Sequence, residues 1–253
     1  MNIKKIINSL TNTDGYYSNL KISKKEISHL YRLIKDSFLN SLLENKLDNK
    51  EKFKKINLKY YHRYSHLFNH QIVTRKKNRL FKPKLVSEIK KMDFFKKLKE
   101  IFPSLKIASF EKIYKEEIDW RIVRPKIKSD IGPLHRDEWF WHLNKIKINK
   151  NITPFKVWIP IITENKKNGL AYVPKSHLLN ISLKKITKRI DGKFKPGKLN
   201  KKFKHKIFSG GSQGNIFIFN HKLLHGGKFG GDNTRVSIEF TIYANKKYLN
   251  NLT

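Results

Sequence analysis

The spacing of apolar residues changes from a helical to a strand period near residue 106. In the N-terminal part, one set recurs every three or four positions: Ile27, Leu30, Tyr31, Ile34, Phe38 and Leu42. Ser23 and Glu26 precede this set in the pattern of a capping box, in which each side chain bonds the backbone N–H of the other residue. The pattern predicts a helix from about residue 24 to 46. A further helix is predicted over roughly 84–100, after Pro83.

A basic and aromatic stretch, residues 50–82, lies between these two predicted helices. His62, His66 and His70 are spaced so that one helix face could carry all three and bind a metal. No acidic residue lies among them, and the same spacing suits a solvated helix face. We therefore interpret the three histidines as a solvated face rather than a metal site.

Short β-rich segments bounded by Gly, Pro or Asn follow from about residue 106. They are 118–123, 155–162, 169–173, 214–219 and 235–243. Several short strands without intervening helices predict a mainly β fold, a barrel or sandwich, with the N-terminal helices packed on it as support. The lysine-rich residues 180–206 are predicted to form a mobile loop, of the kind that often serves as a lid.

The last predicted strand alternates strictly between apolar and polar residues. Its apolar face consists of Val236, Ile238, Phe240 and Ile242. Its polar face consists of Arg235, Ser237, Glu239, Thr241 and Tyr243. A cluster of arginine, hydroxyl and carboxylate groups facing the interior would be costly to bury unless it met a ligand. The pattern indicates that this face lines a binding cavity.

Composition sets outer bounds on this interpretation. The chain has 253 residues with 38% hydrophobic content, enough for a single domain over 1–253, with helical support over 1–105 and a β core over 106–250. Cys is absent, which excludes disulfides, thiolate metal sites and a cysteine nucleophile. No segment approaches the roughly 18 apolar residues that span a membrane. Polar residues interrupt the start of the chain before a signal-peptide centre forms, so we expect a cytoplasmic protein.

The formal net charge of +36 would suggest a polyanionic partner such as nucleic acid. Lys, however, supplies 47 of the 56 basic residues and Arg only nine, while Ala occurs three times. The codon bias of an AT-rich genome would produce this composition, whereas specific nucleic-acid readers rely on Arg. We therefore favour a lysine-rich surface without a nucleic-acid role, which would still attract anionic substrates.

The strongest candidate chemistry follows the turn at Gly132-Pro133. In an extended strand, residues i and i+2 point to the same face, so His135 and Asp137 could reach one ion. With the distant His225 they would make a set of two histidines and one carboxylate. Such a set holds non-haem Fe(II) and leaves coordination positions open on the metal for a co-substrate and oxygen. Arg235 follows ten residues after His225 and opens the alternating strand.

These motifs together resemble the phytanoyl-CoA dioxygenase-like family of Fe(II)/2-oxoglutarate-dependent oxygenases. The resembling segments are 135–137, 157–160, 168–177, 225–227 and 235–237. Their order and spacing fit the family over about residues 110–245. The first hundred residues resemble it only in being helices that could support a barrel. The resemblance implies a double-stranded β-helix, a jelly-roll or cupin-like barrel. The sequence departs from the family at Lys175, where a Pro-Gly-Ser-His motif often has Gly.

The resemblance also implies roles for individual residues. His135, Asp137 and His225 would bind Fe(II), and Arg235 would pair with the distal carboxylate of 2-oxoglutarate, with Ser237 beside it. With O2 as co-substrate, 2-oxoglutarate would be converted to succinate and CO2 while a C–H bond of a small metabolite or biosynthetic intermediate is hydroxylated. Related halogenases place chloride where the carboxylate would be, so Asp137 favours hydroxylation.

Further residues are expected near the two ligands. Trp158 would border 2-oxoglutarate. The candidates for the substrate pocket are Trp139, Trp141, Glu239, Arg121 and Arg124, the two tryptophans being equally well explained as core aromatics. Arg121 or Arg124 could meet an anionic substrate, but their odd separation prevents both from facing inward. His177 is a competing metal ligand that lacks a downstream Arg, so we predict a structural role for it.

Two other functional classes remain open on the sequence alone. A non-catalytic, cupin-like metal protein would keep the histidines and the barrel, but would not need an inward Arg235. A nucleic-acid-binding or nucleic-acid-demethylating protein would explain the charge and the basic, aromatic residues 50–82. No recognised reader motif supports the latter, and the basic residues are spread along the chain.

Overall fold

The computed structural model describes residues 1–44, 50–73, 75–108, 115–188, 194–210 and 214–252. Its α-helices are α1 (Ile3–Thr11), α2 (Lys24–Glu44), α3 (Lys50–Lys55), α4 (His70–Val73), α5 (Pro83–Ile89), α6 (Asp93–Ile101), α7 (Asp137–Leu143) and α8 (Lys246–Asn250). Its strands are β1 (Tyr16–Lys21), β2 (Lys106–Ala108), β3 (Ile118–Val123), β4 (Ile152–Ile162), β5 (Gly169–Tyr172), β6 (Leu183–Lys188), β7 (Phe194–Leu199), β8 (Lys206–Phe208), β9 (Asn215–Asn220), β10 (His225–Lys228) and β11 (Arg235–Asn245).

The strands form a mixed α and β fold in which every described strand pair is antiparallel. The larger sheet has the order β1-β9-β4-β11-β2, and β3 also pairs with β11. A smaller sheet has the order β10-β5-β8, and β6 and β7 form a separate hairpin. The five β-rich segments predicted from the sequence correspond to β3, β4, β5, β9 and β11.

The capping box forms at the start of α2 as predicted. The backbone N–H of Ser23 donates to Glu26 Oε2 at 2.9 Å, and the N–H of Glu26 donates to Ser23 Oγ at 3.2 Å. The helix continues to Glu44, and the last two predicted residues, 45–46, lie outside the described residues.

The single helix predicted over 84–100 is wrong, because the chain turns between α5 and α6. The other carboxylate oxygen of Glu26 accepts the backbone N–H of Phe94 at 2.9 Å, which satisfies a donor at the start of α6. The turn lets both short helices bury their apolar faces: Val86 and Ile89 on α5, and Phe94, Phe95, Leu98 and Ile101 on α6.

The loop predicted over 180–206 is also wrong where the chain forms β6 and β7. β6 and β7 pair in an antiparallel hairpin there, and residues 189–193 lie outside the described part. The Lys-rich composition concealed the strands, because Leu183, Ile186, Phe194 and Leu199 are the few large apolar residues that mark them.

The three histidines of the 50–82 stretch do not share a helix face. Leu58–Arg63 and Ser65–Leu67 are short 3-10 helices, and His70 begins the separate helix α4. His70 is buried, with its Nδ1 2.6 Å from the hydroxyl of Tyr61. The solvated-face interpretation is therefore wrong for His70.

The main hydrophobic core lies between the N-terminal helices and one face of the larger sheet. It contains the apolar face predicted for the last strand, Val236, Ile238, Phe240 and Ile242. At its helical side the ring of Phe38 lies 5.4 Å from Tyr61, 5.5 Å from Phe53 and 6.3 Å from Trp120, measured between ring centroids. Across the described ranges, no helix is both long and apolar enough to cross a bilayer.

Substitution of Phe38 by Ala is expected to lower the free energy of unfolding by about 3–5 kcal/mol, because it empties the centre of this aromatic cluster. Leu43→Ala is the matched control on the same helix, since Leu43 is 50% exposed; its effect should stay within about 0.5 kcal/mol. Urea unfolding followed by tryptophan fluorescence measures both. Equal effects of the two substitutions would contradict this account of the core.

Candidate metal centre

Three side chains converge where the segment before α7 pairs with the start of β10. His135, Asp137 and His225 each offer a ligand atom, and these atoms lie within 4.8 Å of one another. The Nε2 atoms of the two imidazoles lie 4.0 and 3.8 Å from Asp137 Oδ1. Among the described residues this is the one group of three or more His or acidic side chains arranged in this way.

Backbone hydrogen bonds hold the two histidines side by side. The N–H of His135 donates to the carbonyl of His225 at 2.8 Å, and the N–H of His225 donates back at 2.9 Å. Each ring is then oriented locally. Nδ1 of His135 lies 2.8 Å from the carbonyl of Pro133, and Nδ1 of His225 lies 2.9 Å from the carbonyl of Leu223. These bonds place the N–H on Nδ1 and leave both Nε2 lone pairs available for a metal.

Asp137 reaches the centre from a helix rather than from a strand. It is the first residue of α7, and its backbone N–H donates to the carbonyl of His221 at 3.0 Å. The extended geometry expected for His-x-Asp is confirmed at Arg136, whose backbone is extended with φ −109° and ψ 143°. The helix begins only at Asp137, so the extended residue between the two ligands directs both side chains to the same point.

Both imidazoles are held in the neutral form. Burial, reinforced by the neighbouring His225, lowers the pKa of His135 to about 4. Burial likewise lowers the pKa of His225, against the opposing effect of Asp137. A neutral imidazole beside a carboxylate is the protonation state that a divalent cation requires. The donor set therefore fits a metal such as Fe(II).

A cavity of about 400 Å³ opens from the three ligands. Its lining includes four residues expected at the site from the sequence: Arg121, Trp158, Arg235 and Glu239. Trp139 and Trp141 are absent from it. Trp139 packs in a small core with Val173, Ile181 and Leu224. Trp141 lies against the His221 ring at 5.4 Å.

Of the two candidate arginines on and after β3, only Arg121 reaches the cavity. Its Nε lies 2.5 Å from Glu239 Oε1. Arg124 instead makes a bidentate pair with Asp130, at 2.9 and 2.7 Å. Asp130 also lies 3.3 Å from His70 Nε2, so this pair ties the segment before the metal ligands to the helical layer.

Arg235 lies deep in the cavity with part of its hydrogen-bonding capacity unused. Its guanidinium donates to the carbonyl of Gly169 at 3.0 Å and lies 5.9 Å from the Trp158 ring. Its Nε and the buried hydroxyl of Ser237 have no hydrogen-bond partner within the protein. Burial and the nearby Arg121 lower the pKa of Arg235 to about 10. An anion beside this arginine would satisfy its donors and its charge, so the residues fit a dicarboxylate such as 2-oxoglutarate.

His177, the competing histidine, lies outside the cluster of metal ligands. Its Nε2 lies 3.2 Å from the carbonyl of Thr11, and its ring packs over Gly15. Gly15 has φ +81°, and a Cβ at that position would clash with the imidazole. These contacts agree with the structural role predicted for His177.

Sequence reasoning missed several residues of the cavity wall. Lys156 could have been found, because it alternates with Trp158 on β4 and therefore shares its face. Arg79 and Asp119 also line the wall, and so does Lys195 of β7. Lys195 could not have been found while residues 180–206 were interpreted as a loop.

The fold is shared with several solved structures at low sequence identity. The crystal structure of EvdO2 from Micromonospora carbonacea var. aurantiaca with 2-oxoglutarate is 11% identical, with a TM-score of 0.54 over 95% of this chain and 90% of that chain. The crystal structure of EctD from S. alaskensis with 2-oxoglutarate and 5-hydroxyectoine is 14% identical, with a TM-score of 0.54 over 95% of this chain and 75% of that chain. The non-heme monooxygenase ThoJ is 9% identical, with a TM-score of 0.54 over 96% and 77%.

A search of curated protein sequences found no significant match. The sequence does match the family model of phytanoyl-CoA dioxygenase over residues 47–230, more than two thirds of the chain. This range contains His135, Asp137 and His225, the three residues that converge in the structure. The chain therefore belongs to the phytanoyl-CoA dioxygenase family, and it is an Fe(II)/2-oxoglutarate-dependent oxygenase.

Proposed function

We propose that the chain hydroxylates a C–H bond of a small metabolite or biosynthetic intermediate. The observation that carries this proposal is the convergence of His135, Asp137 and His225, with both imidazoles neutral and turned so that Nε2 faces the carboxylate. These three side chains would hold Fe(II). When bound, iron and 2-oxoglutarate supply the oxidising power of O2, with release of succinate and CO2.

The carboxylate of Asp137 supports hydroxylation over halogenation. A halogenase needs a halide on the metal, and in this chain the position is filled by a buried aspartate. The backbone bond from Asp137 to His221 fixes the start of α7, so the carboxylate is directed at the metal position before a metal binds.

Arg235 is proposed to receive the distal carboxylate of 2-oxoglutarate. Its unused Nε and the hydroxyl of Ser237 are adjacent donors on the same face of β11. The ring of Trp158 lies on the neighbouring strand β4, paired in register with Glu239. It would cover one side of the bound dicarboxylate and exclude water from it.

The architecture is proposed to be a double-stranded β-helix within one domain over 1–253. The two sheets are both antiparallel, and they pack together through Trp158 and Phe217 of the larger sheet and Leu170 and Tyr172 of the smaller one. The helices of the first hundred residues share a continuous hydrophobic core with β4 and β11. This shared core supports a single folding unit.

Arg235→Ala is expected to weaken 2-oxoglutarate binding at least about 10-fold, since a hydrogen-bonded charge pair contributes roughly 1.5–3 kcal/mol. Anaerobic titration with Fe(II) and 2-oxoglutarate should give the weak visible charge-transfer band of the chelate in the unaltered protein. The variant should need a higher concentration of 2-oxoglutarate to develop the same band. Arg63→Ala, at an exposed arginine, is the control. Unchanged affinity in the Arg235 variant would disprove this assignment.

His135→Ala and Asp137→Ala are each expected to reduce iron affinity by two orders of magnitude or more, because each removes one of three protein ligands, and even outer-shell changes cost about 10–100-fold. Iron content after dialysis and succinate release from 2-oxoglutarate measure the loss. His177→Ala, a buried histidine outside the cluster, is the matched control and should retain iron once folded. The proposal fails if both ligand variants keep iron and turnover.

Metal affinity is expected to fall less than about 10-fold between pH 7.5 and 5.5, because burial lowers the pKa of His135 to about 4 and also lowers the pKa of His225. If both histidines had the ordinary pKa near 6.5, their protonation would weaken metal binding about 100-fold over this range. Co(II) titration followed by absorbance distinguishes these results. His66→Gln, at an exposed histidine, should leave the profile unchanged.

A further inference from the structure

Residues 130–134 form a strap along the cavity wall, between the 3-10 helix Lys128–Asp130 and the metal ligand His135. The first four residues of the strap line the cavity. None of the five belongs to a strand of either sheet. The strap therefore lacks the ladder of backbone hydrogen bonds that holds a strand in its sheet, and its position depends on its packing and on the contacts at its two ends.

The strap lies against two glycines of β10, beside the arginine assigned to 2-oxoglutarate. A Cβ at Gly226 would lie 3.2 Å from the carbonyl oxygen of Pro133, and a Cβ at Gly227 would lie 2.8 Å from Cγ2 of Ile131. The same Cβ at Gly227 would lie 3.3 Å from Nη2 of Arg235. Ile131 and the guanidinium of Arg235 are therefore close neighbours. A displaced strap would widen the space in which the distal carboxylate is proposed to bind.

The two ends of the strap are held in different ways. The backbone pair of His135 and His225 fixes the C-terminal end. The N-terminal end is held through one side chain, the carboxylate of Asp130, of which only 2% is exposed. Its Oδ2 accepts the backbone N–H and the Nε–H of Arg124, both at 2.9 Å, and its Oδ1 accepts an N–H from Nη2 of the same arginine at 2.7 Å.

His70 contacts the same carboxylate from the helical layer. Its Nε2 lies 3.3 Å from Oδ2 of Asp130, and its Nδ1 lies 2.6 Å from the hydroxyl of Tyr61. A neutral imidazole with its proton on Nε2 suits both contacts, because it donates to the carboxylate and accepts the proton of the hydroxyl. The ring of Tyr61 packs against Phe38 in the main hydrophobic core. A chain of side chains thus joins the strap to the core of the helical layer.

The contact between His70 and Asp130 stabilises a buried charge. Burial alone would raise the pKa of Asp130, but hydrogen bonds from Arg124 and His70 outweigh burial and hold its pKa below the usual range. Without His70 the buried carboxylate would keep fewer donors, which costs more than the loss of a bond at the surface. The strap would then gain freedom at its N-terminal end. A ligand that binds beside it would have to order it again, and this loss of conformational entropy lowers the affinity.

We propose that His70 is a positioning residue for the 2-oxoglutarate site: through Asp130 it holds the strap in place beside Arg235. This inference rests on the proposed function, because it takes Arg235 as the partner of the distal carboxylate. His70 does not line the cavity. It therefore acts on the co-substrate only through the strap.

His70→Leu is expected to weaken 2-oxoglutarate binding about 10-fold, the loss of one hydrogen bond to a charged group, while the protein keeps its affinity for Co(II). Anaerobic titration of Fe(II)-loaded protein with 2-oxoglutarate, followed by the chelate band, measures the first affinity, and Co(II) absorbance measures the second. His70→Gln should lose less, because its amide can donate to Asp130 and accept from Tyr61. Hydrogen exchange of the metal-free protein, followed by mass spectrometry, should be faster in His70→Leu for peptides that cover residues 130–134.

His29→Leu is the matched control. His29 also pairs with a carboxylate in the helical layer, with its Nε2 2.6 Å from Oε1 of Glu88, and it does not line the cavity. This variant should leave both the affinity for 2-oxoglutarate and the exchange of the strap unchanged. Arg124→Gln reaches the carboxylate of Asp130 from its other side, and it should also weaken 2-oxoglutarate binding. It provides the test if His70→Leu does not fold.

Two results overturn the inference. One is an unchanged affinity for 2-oxoglutarate in folded His70→Leu or, where only that variant folds, in Arg124→Gln. The other is an equal loss of affinity in His70→Leu and His29→Leu, which would indicate a general loosening of the helical layer. Failure of the proposed function is distinguishable. Absence of the chelate band in unaltered, iron-loaded protein rejects the assignment of 2-oxoglutarate, and faster exchange of the strap in His70→Leu alone would then still support its anchoring by His70.

Discussion

The pair of backbone hydrogen bonds between His135 and His225 is the contact on which the rest of the centre depends. It joins two segments that are 90 positions apart in the sequence and sets their imidazoles side by side. The nearby carbonyls of Pro133 and Leu223 then fix each ring. The rotation of the rings thus follows from the main chain around them, and the surrounding side chains are free to shape the cavity.

Much of this centre could be predicted from the sequence, because patterns of neighbouring residues within single segments indicate it. The alternation of β11 identified both its buried apolar face and the cavity face that carries Arg235 and Glu239. Trp139 and Trp141 show where such reasoning ends. On a strand they would share the face of Asp137, but α7 rotates successive residues by a helical period, so both point away from the cavity. The start of a helix at Asp137 decided this outcome, and the sequence analysis predicted no helix there.

The errors in the helical region and in the hairpin have a different physical origin. The break between α5 and α6 is stabilised by Glu26, which lies 68 positions before its partner Phe94, and a local pattern contains nothing of such a partner. His70 was misassigned for the same reason, since its partners Tyr61 and Asp130 lie in separate elements. The hairpin β6–β7 has few apolar residues that would indicate its strands. Its position is set by hydrogen bonds between the side-chain amide of Asn144 and the main chain of Phe194.

The donors around Arg235 that lack a protein partner have a consequence for the lifetime of the molecule. A buried polar group without a partner favours the unfolded chain, where water satisfies it. A metabolite that satisfies these donors only in the folded state raises stability in proportion to the logarithm of its concentration. Resistance to heat and to proteolysis would therefore rise and fall with the cellular supply of the dicarboxylate. The enzyme would persist longest under the metabolic conditions in which it can work.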